Sequence, residues 1–388
     1  MKILIADHSV YNGSYKVGGQ HLAENFAKLG HDVLYLSGML NVFSFRHLFK
    51  KTSFSFNAKR MLRYWIKNGI SINDNLKTYT PLTLLPFSKK VPFGTSDFVL
   101  NNTYSFTIPN LFKYLKKERF FRPDILIVTP TPFALLLEKI NAKIKILRIT
   151  DNTVAFRDVS RKTVKLINRA IKESDFVVAT SLILKKKIEQ QKKENVFYLS
   201  NGVNFNFFQQ ADRNLPKEYK NVEGKKVVYI GAIDYWFDVE LLSFLAKKLD
   251  GVNFFLVGSP RINLNQIKDL PNIHILGRKS FEELPKYLWN ADVGIIPFKR
   301  EPVVETVSPI KLYEYMACGL PVISIEWEEL KVIKTPVLLA KNKNEFLSLL
   351  VEVLKRPQEK TKFIKFAQEN SWDDRIKTLF KYLNIPLS

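Results

Sequence analysis

The stretch SPIKLYEYMACGLPV, Ser308 to Val322, combines a helix start, a short helix and the beginning of a strand. Serine is a preferred N-cap and proline suits the first helical position, so Ser308 and Pro309 predict a helix that begins here. Gly319 is suited to end that helix, because glycine readily adopts the left-handed conformation that follows a last helical turn. The residues PVIS after it predict a strand, and a helix that leads directly into a strand is typical of α/β domains.

The start of this helix carries residue types that suit an anionic ligand. Its first backbone N–H groups and the positive end of the helix dipole can hold a diphosphate. Lys311, in the first turn, would stabilise a leaving group that gains negative charge. Glu314, one turn further, is placed to accept hydrogen bonds from ribose hydroxyls. The pattern predicts a nucleotide-binding helix, with plain helix capping as the alternative interpretation.

Short apolar strands alternate with helical patterns along the whole chain, which predicts mainly parallel sheets. A length of 388 residues suits two such domains. We expect an N-terminal domain over residues 1–206, a C-terminal domain over 207–370, and a last helix at 371–388 that returns to the first domain. The predicted strands are 2–6, 33–36, 125–128, 144–149, 176–179 and 196–199 in the first domain, and 227–230, 254–257, 273–276, 293–297 and 321–324 in the second.

The net charge of +23 predicts a polyanionic partner, for which nucleic acid, anionic lipid and nucleotide-sugar phosphates all qualify. One cysteine, Cys318, excludes an intrachain disulfide and fits a reducing compartment. The start MKILIADH lacks the apolar core of a signal peptide, so we expect a cytoplasmic location. No apolar stretch approaches the roughly 20 residues that a membrane span needs.

The segment from Asn57 to Gly69 predicts a basic amphipathic helix. Its apolar residues recur at helical spacing, and cations occupy the opposite face. Cations that bind anionic headgroups and a tryptophan at the acyl boundary are what a monotopic membrane contact requires. An ordinary helix that packs on the core is the alternative. The predicted membrane-contact residues are Lys59, Arg60, Met61, Leu62, Arg63, Trp65, Ile66 and Lys67.

Several segments of the C-terminal half together resemble the nucleotide-binding domain of GT-B glycosyltransferases: YIGAIDYWFDVELL, LVGSPR, ILGRKSFEELPKYLWNADVGIIPF and SPIKLYEYMACGLPVIS. In particular they are similar to the membrane-associated, inverting glucuronosyltransferase family of xanthan biosynthesis. The resemblance implies two Rossmann-like domains that face a central cleft. It also implies that Lys311 binds the donor phosphates, Glu314 binds the ribose, and Arg278 lies near the base. The nucleotide pocket would be lined by Ile233, Phe298 and Ile310.

The reaction type is predicted from departures from the retaining GT-B enzymes. Those enzymes have two glutamates that flank seven residues, whereas Glu305 and Glu314 flank eight. An inverting enzyme needs a base for the acceptor hydroxyl. LRITDNTVAF resembles the catalytic-aspartate segment of the glucuronosyltransferase, which implies Asp151 as the base. His8 is the second candidate, and Gly18 and Gly19 would approach the donor phosphates and the acceptor.

The sequence therefore predicts an inverting glycosyltransferase that moves a sugar, glucuronate among the candidates, from a UDP-sugar to a lipid-linked saccharide acceptor. We expect it to work at the inner face of the cell membrane in polysaccharide or cell-envelope assembly, without metal or cofactor, because no Asp-x-Asp motif occurs. The alternatives are a retaining GT-B glycosyltransferase, an epimerase on the same fold, and a basic nucleic-acid-binding protein.

Overall fold

The structure is a computed structural model that describes residues 1–47, 53–86, 93–94, 96–130, 133–155, 160–356 and 358–386. The chain forms two compact units. Unit 1 contains Met1–Ser200 and Ile376–Ser388, and unit 2 contains Asn201–Arg375. These divisions lie a few residues from the boundaries that the sequence suggests.

Unit 1 is built on an eight-stranded sheet with the order β11-β10-β9-β8-β1-β2-β5-β4. All neighbouring strands in it are parallel except β4 and β5. A second, small sheet has the order β3-β6-β7. The strands are β1 (Lys2–Asp7), β2 (Asp32–Ser37), β3 (Leu40–Asn41), β4 (Ile70–Asn73), β5 (Leu76–Tyr79), β6 (Leu82–Thr83), β7 (Thr107–Ile108), β8 (Ile125–Val128), β9 (Ile144–Ile149), β10 (Phe176–Ala179) and β11 (Val196–Tyr198).

The helices of unit 1 cover its large sheet, whose central strands are buried apolar runs such as ILIV in β8. Parallel strands that are covered on both faces have this continuous apolar pattern. Part of the last helix, α15 (Trp372–Tyr382), also belongs to unit 1, where Phe380 stacks on Phe26 at 5.7 Å between ring centroids. The other helices are α1 (Gly18–Lys28), α2 (Ser53–Ile66), α3 (Asp97–Asn102), α4 (Leu111–Lys117), α5 (Leu136–Lys139), α6 (Arg161–Glu173) and α7 (Leu182–Glu189), with 3-10 turns at Val42–His47 and Thr153–Ala155.

Unit 2 contains a six-stranded parallel sheet with the order β14-β13-β12-β15-β16-β17. The strand order reverses between β12 and β15, and parallel α/β sheets bind ligands at the carboxyl ends of the strands beside such a point. The strands are β12 (Lys225–Ile230), β13 (Val252–Val257), β14 (Ile273–Gly277), β15 (Val293–Ile296), β16 (Val322–Ile325) and β17 (Leu338–Ala340). The helices are α8 (Phe205–Gln210), α9 (Val239–Lys248), α10 (Leu284–Trp289), α11 (Ile310–Ala317), α12 (Glu328–Val332), α13 (Lys343–Lys355) and α14 (Lys360–Gln368), with 3-10 turns at Lys217–Tyr219, Phe281–Glu283 and Val304–Thr306.

The predicted α/β class is confirmed, since both large sheets are parallel or nearly so and are interleaved with helices. Each strand predicted from the sequence is present, with ends that agree within two residues. None of the described helices is long and apolar enough to cross a membrane.

Candidate functional site

The decisive helix, α11, begins one residue later than the sequence suggests. Pro309 has extended backbone (φ −78°, ψ 120°) and occupies the N-cap position without a side-chain cap. The expectation that Ser308 caps the helix is therefore wrong, because its hydroxyl lies one position too far back. Ser308 is instead fixed through its backbone, where its carbonyl oxygen accepts a hydrogen bond from the Asn201 side-chain amide at 2.7 Å.

The amino end of α11 offers backbone donors and a buried hydroxyl. The N–H group of Leu312 donates to the Pro309 carbonyl oxygen at 3.1 Å. The amides of Ile310 and Lys311 precede it, in the turn where an α-helix provides no acceptor for its N–H groups. The Ser308 side chain is 3% exposed, and its Oγ has no hydrogen-bond partner among the residues that the structure describes. This end of the helix therefore presents hydrogen-bond donors of a kind that suits an anion.

The ammonium group of Lys311 is held by two aromatic residues. Its Nζ donates a hydrogen bond to the Tyr229 hydroxyl at 3.1 Å and lies 4.3 Å from the centroid of that ring. The centroid of Phe298 is 4.7 Å away. Tyr229 belongs to β12 and Phe298 follows β15, so the strands on either side of the reversal point both contribute to this contact. Cations bind favourably to the faces of such rings.

Gly231, directly after β12, leaves the space that the ammonium group occupies. A Cβ at this position would lie 2.5 Å from Lys311 Nζ, and the φ angle of +149° is one that residues with a side chain rarely adopt. A hydrogen bond from its N–H to the Val257 carbonyl oxygen, at 2.9 Å, fixes the turn. Gly231 and Tyr229 were not predicted from the sequence as site residues. Gly231 could have been found from its place at the end of the first strand of unit 2, whereas Tyr229 looked like an ordinary core residue.

Burial strongly affects the charge of Lys311. Loss of solvent around the side chain lowers its pKa from 10.5 to about 7, and nearby Glu314 opposes this effect. Glu314 itself is 8% exposed. Near neutral pH the Lys311 side chain therefore exchanges a proton easily, and an anion bound beside it would favour the charged form.

The other predicted donor residues lie along the same edge of the sheet. Ile233 is buried and its carbonyl oxygen accepts a hydrogen bond from the Arg261 N–H group at 2.8 Å. Ile310 is half-buried at the start of α11. Arg278 is half-buried directly after β14, two strands from β12, which corresponds to about 10 Å. A nucleotide can span that distance.

Unit 1 places a second polar group at the end of β1. The carboxylate of Asp7, which is 2% exposed, accepts hydrogen bonds from the Ser9 N–H group at 2.8 Å and the Ser9 hydroxyl at 2.7 Å. His8 Nδ1 lies 3.5 Å from the same oxygen, and its side chain is 55% exposed. A Cβ on Gly19 would lie 2.0 Å from the other carboxylate oxygen, so the loop of Gly18 and Gly19 packs directly on Asp7.

Asp151 follows β9, which is separated from β1 by β8. It is half-buried, and one carboxylate oxygen accepts a hydrogen bond from the Thr150 hydroxyl at 2.8 Å. The guanidinium group of Arg148, which is 3% exposed, interacts electrostatically with both Asp7 and Asp151. Burial lowers the pKa of its guanidinium group, while the charges of Asp7 and then Asp151 raise it. Asp7 and Asp151 thus both interact with one buried cation, and His8 directly follows Asp7 at the same edge of the sheet.

The predicted membrane helix corresponds to α2, and its apolar face is divided. Met61 is 8% exposed and packs near Gly38, so it belongs to the core and is not available to a membrane. The indole N–H of Trp65 donates to the Ile108 carbonyl oxygen. Ile66, in contrast, is 66% exposed. Among the remaining predicted contact residues, Lys59, Arg63 and Lys67 are exposed, Leu62 is half-buried, and Arg60 is half-buried with its guanidinium 4.7 Å from the Phe56 ring.

Residues 224–356, most of unit 2, match the family model described as Glycosyl transferases group 1. The putative teichuronic acid biosynthesis glycosyltransferase TuaH of Bacillus subtilis is 25% identical over 242 residues, which span 58% of this chain and 61% of that relative. The alignment thus covers less than two thirds of the relative's length.

Two solved structures have a similar fold over almost their whole length. Sucrose-phosphate synthase from Thermosynechococcus elongatus has a TM-score of 0.68 and 16% identity, with 98% of each chain covered. HepE from Anabaena, solved in complex with UDP, has a TM-score of 0.67 and 14% identity, with 99% of this chain and all of that chain covered. The protein therefore has the GT-B fold. Its second unit contains the region that matches the Glycosyl transferases group 1 family model.

Proposed function

We propose that this protein is a glycosyltransferase that moves a sugar from a UDP-sugar to a lipid-linked saccharide acceptor, with inversion at the anomeric carbon. The observation that carries the proposal is the position of Lys311 Nζ at the amino end of α11, beside the Tyr229 hydroxyl at 3.1 Å. The family match over unit 2 and the UDP complex of the HepE structure support a UDP-sugar as the donor.

In this proposal unit 2 holds the leaving group. The amides of Ile310 and Lys311 and the Ser308 hydroxyl bind the diphosphate, and the Lys311 ammonium group neutralises the charge that develops on the departing UDP. These groups are fixed before the reaction, so little reorganisation accompanies bond breaking. Glu314 accepts hydrogen bonds from the ribose, and Arg278 lies near the base. No metal is required.

The proposed reaction is a single displacement. The acceptor hydroxyl transfers its proton to the carboxylate of Asp151 while its oxygen attacks the anomeric carbon. The bond from that carbon to the β-phosphate oxygen breaks, and the electron pair leaves with UDP. His8 is the second candidate for the base, since its Nδ1 lies 3.5 Å from a carboxylate oxygen of Asp7. A carboxylate behind a histidine is an arrangement that orients a general base.

The structural role of Glu305 supports inversion. Its Oε2 accepts a hydrogen bond from the Glu328 N–H group at 3.0 Å, at the start of α12. Thr306, next to it, is fully buried. Glu305 thus stabilises the local fold, in agreement with its unusual spacing from Glu314.

The similarity to a teichuronic acid biosynthesis glycosyltransferase supports a role in assembling a cell-envelope polysaccharide. An acidic polymer of that kind favours glucuronate as one donor sugar to be tested. The lipid-linked acceptor would be reached at an anionic membrane surface on the cytoplasmic side, in keeping with the net charge of +23.

The test begins with calorimetric binding of UDP, UDP-glucose and UDP-glucuronate. The sugar that binds most tightly is then supplied with short-chain lipid-linked saccharides, and release of UDP is followed with and without EDTA. We expect transfer that EDTA does not affect, and NMR of the product should show an anomeric configuration opposite to that of the donor. A product that keeps the donor configuration would establish the retaining alternative, and failure of all UDP-sugars to bind would refute the proposal.

A further inference from the structure

Exposed apolar side chains are concentrated in one part of unit 1. Thirteen large hydrophobic side chains are exposed among the described residues, and nine of them lie between positions 42 and 108. Single exposed hydrophobic residues are common on protein surfaces, but a group of them marks an interaction site. Six of the nine, here called the apolar patch, are linked to the small sheet or its neighbours: Ile66, Leu84, Phe93, Phe98, Phe106 and Ile108.

The register of the small sheet places part of the patch on one face. The pair Thr83 and Thr107 is antiparallel, and the Leu84 N–H group donates to the Phe106 carbonyl oxygen at 2.9 Å. Leu84 and Phe106 are thus opposite each other, and directly opposed side chains share a face of the sheet. Ile108 lies two residues further along the same strand and therefore on that face as well.

The helices beside the small sheet extend the patch. Phe98 of α3 is 62% exposed, and its ring centroid lies 6.3 Å from that of Phe106. Phe93, which is 87% exposed, is one turn earlier, and its carbonyl oxygen accepts a hydrogen bond from the Ser96 N–H group. On the other side, the indole N–H of Trp65 donates to the Ile108 carbonyl oxygen, which joins the end of α2 to the strand, and the next residue of α2, Ile66, is exposed.

The chain around the patch has an extreme charge balance. Residues 41–117 contain thirteen Lys and Arg but only two acidic residues, Asp74 and Asp97. Asp97, in α3, is paired with Lys162 at 3.2 Å. On α2, Lys59 is seven residues from Ile66 and therefore on the same side of the helix, and Arg63 is three residues away. Both cations are exposed.

We propose that the apolar patch, with the cations of α2 beside it, is the surface by which this protein docks on an anionic lipid bilayer. Aromatic side chains enter the boundary between headgroups and acyl chains, while lysine and arginine bind the lipid phosphates. The inference deepens the proposed function by giving its lipid-linked acceptor a defined approach. It also differs from the sequence-based expectation, because the small sheet and α3 supply most of the contact and Met61 supplies none.

The test is co-sedimentation of the full chain with vesicles of phosphatidylglycerol and phosphatidylcholine, with pure phosphatidylcholine as the neutral reference. We expect binding to the anionic vesicles that weakens as NaCl increases. Changing Phe93, Phe98 and Phe106 together to Ser should reduce partitioning by about tenfold or more. Lys59→Glu with Arg63→Glu should reduce it by about fivefold per cation removed. UDP binding by unit 2 should stay unchanged in both variants, and an unchanged thermal unfolding transition should show that unit 1 is folded.

The matched control is Leu215→Ser with Val332→Ser, since both residues are exposed hydrophobics of unit 2. This variant should bind vesicles like the wild type. The inference is overturned if the triple Phe variant partitions normally, if the control loses as much, or if sedimentation velocity shows that the patch instead joins two copies of the chain. No sugar is present in these assays, so their outcome is separate from the fate of the proposed transfer reaction.

Discussion

The ammonium nitrogen of Lys311 lies 3.1 Å from the hydroxyl oxygen of Tyr229, whose own proton is directed at the Ala232 carbonyl oxygen 2.6 Å away. The tyrosine oxygen therefore presents a lone pair to the lysine, and the lysine is positioned before any ligand arrives. Burial nevertheless destabilises the charged form of Lys311, and its pKa is therefore lowered to about 7. A buried lysine that is held at the amino end of a helix, although burial destabilises its charge, indicates that this helix end binds an anionic ligand.

Replacing Lys311 by Met should therefore weaken donor binding. A hydrogen bond to a charged group contributes about 1.5–3 kcal/mol, which corresponds to roughly a 10- to 100-fold loss of affinity for UDP. Isothermal titration calorimetry measures the change. Lys248→Met is the matched control, because Lys248 is an exposed lysine at the end of α9. Equal affinities for wild type and Lys311→Met would remove Lys311 from the site.

The same variant should be more stable than the wild type without ligand. Between pH 7 and 10.5 the unfolded chain retains the Lys311 proton that the folded chain has released, so the stability of the wild type rises with pH across this window. Below about pH 7 the folded chain carries the buried lysine in its charged form, so the free energy that burial of this charge costs is then present in full. Urea unfolding of the Met variant should show its largest gain there, and the gain should vanish near the upper value. A gain that is the same at every pH would mean that packing, not charge, is responsible.

Donor affinity should depend on pH for the same reason. UDP-glucose is the suitable ligand, because its doubly esterified diphosphate does not titrate near neutrality. Above the Lys311 pKa of about 7, binding must restore a proton, so affinity should fall by up to about tenfold per pH unit. Calorimetry in two buffers with different ionisation enthalpies should detect proton uptake on the alkaline side. Lys311→Met should show neither effect, and a flat profile for the wild type would contradict the prediction.

Gly231→Ala should impair the donor site through Lys311. The added Cβ would lie 2.5 Å from Nζ and must displace it. Gly251→Ala is the control for backbone strain, because Gly251 also has positive φ (+69°) but no atom within 4 Å of the added Cβ. Both variants should lose about 1–3 kcal/mol of unfolding free energy. Only Gly231→Ala should lose UDP affinity, and equal losses in the two variants would show that strain alone is responsible.

Most of the parallel framework could be predicted from the sequence, because buried parallel strands are short apolar runs that stand out between helices. ILIV at Ile125–Val128 and VGII at Val293–Ile296 are such runs, and both are strands. Lys311 could also be predicted as a site candidate, since the Ser308-Pro309 pair just before it indicates the start of a helix. The partner of Lys311 could not, because Tyr229 contacts it across 82 positions of the chain.

The small sheet was missed for a physical reason. Its three strands have two residues each, and no periodic pattern can be recognised over so short a length. The helical spacing of α2 was recognised, but spacing identifies an apolar face without identifying what covers it. Gly38 and Tyr11 lie far from α2 in the sequence, and they are what place Met61 and Tyr64 in the core.

The identity of the base can be decided by three substitutions in unit 1. Asp151→Asn keeps the shape of the side chain but removes its ability to accept a proton, so it should reduce kcat by about 10²- to 10⁴-fold without changing UDP affinity. His8→Ala should then have an effect below about tenfold.

Asp7→Asn provides a further comparison, because Asp7 lies 3.5 Å from His8 Nδ1 and would orient that ring if His8 is the base. If Asp151 is the base, Asp7→Asn should reduce kcat much less than Asp151→Asn, once thermal unfolding has shown that unit 1 is folded in the variant. Large losses in both His8→Ala and Asp7→Asn, with near-normal turnover in Asp151→Asn, would instead assign the proton transfer to His8.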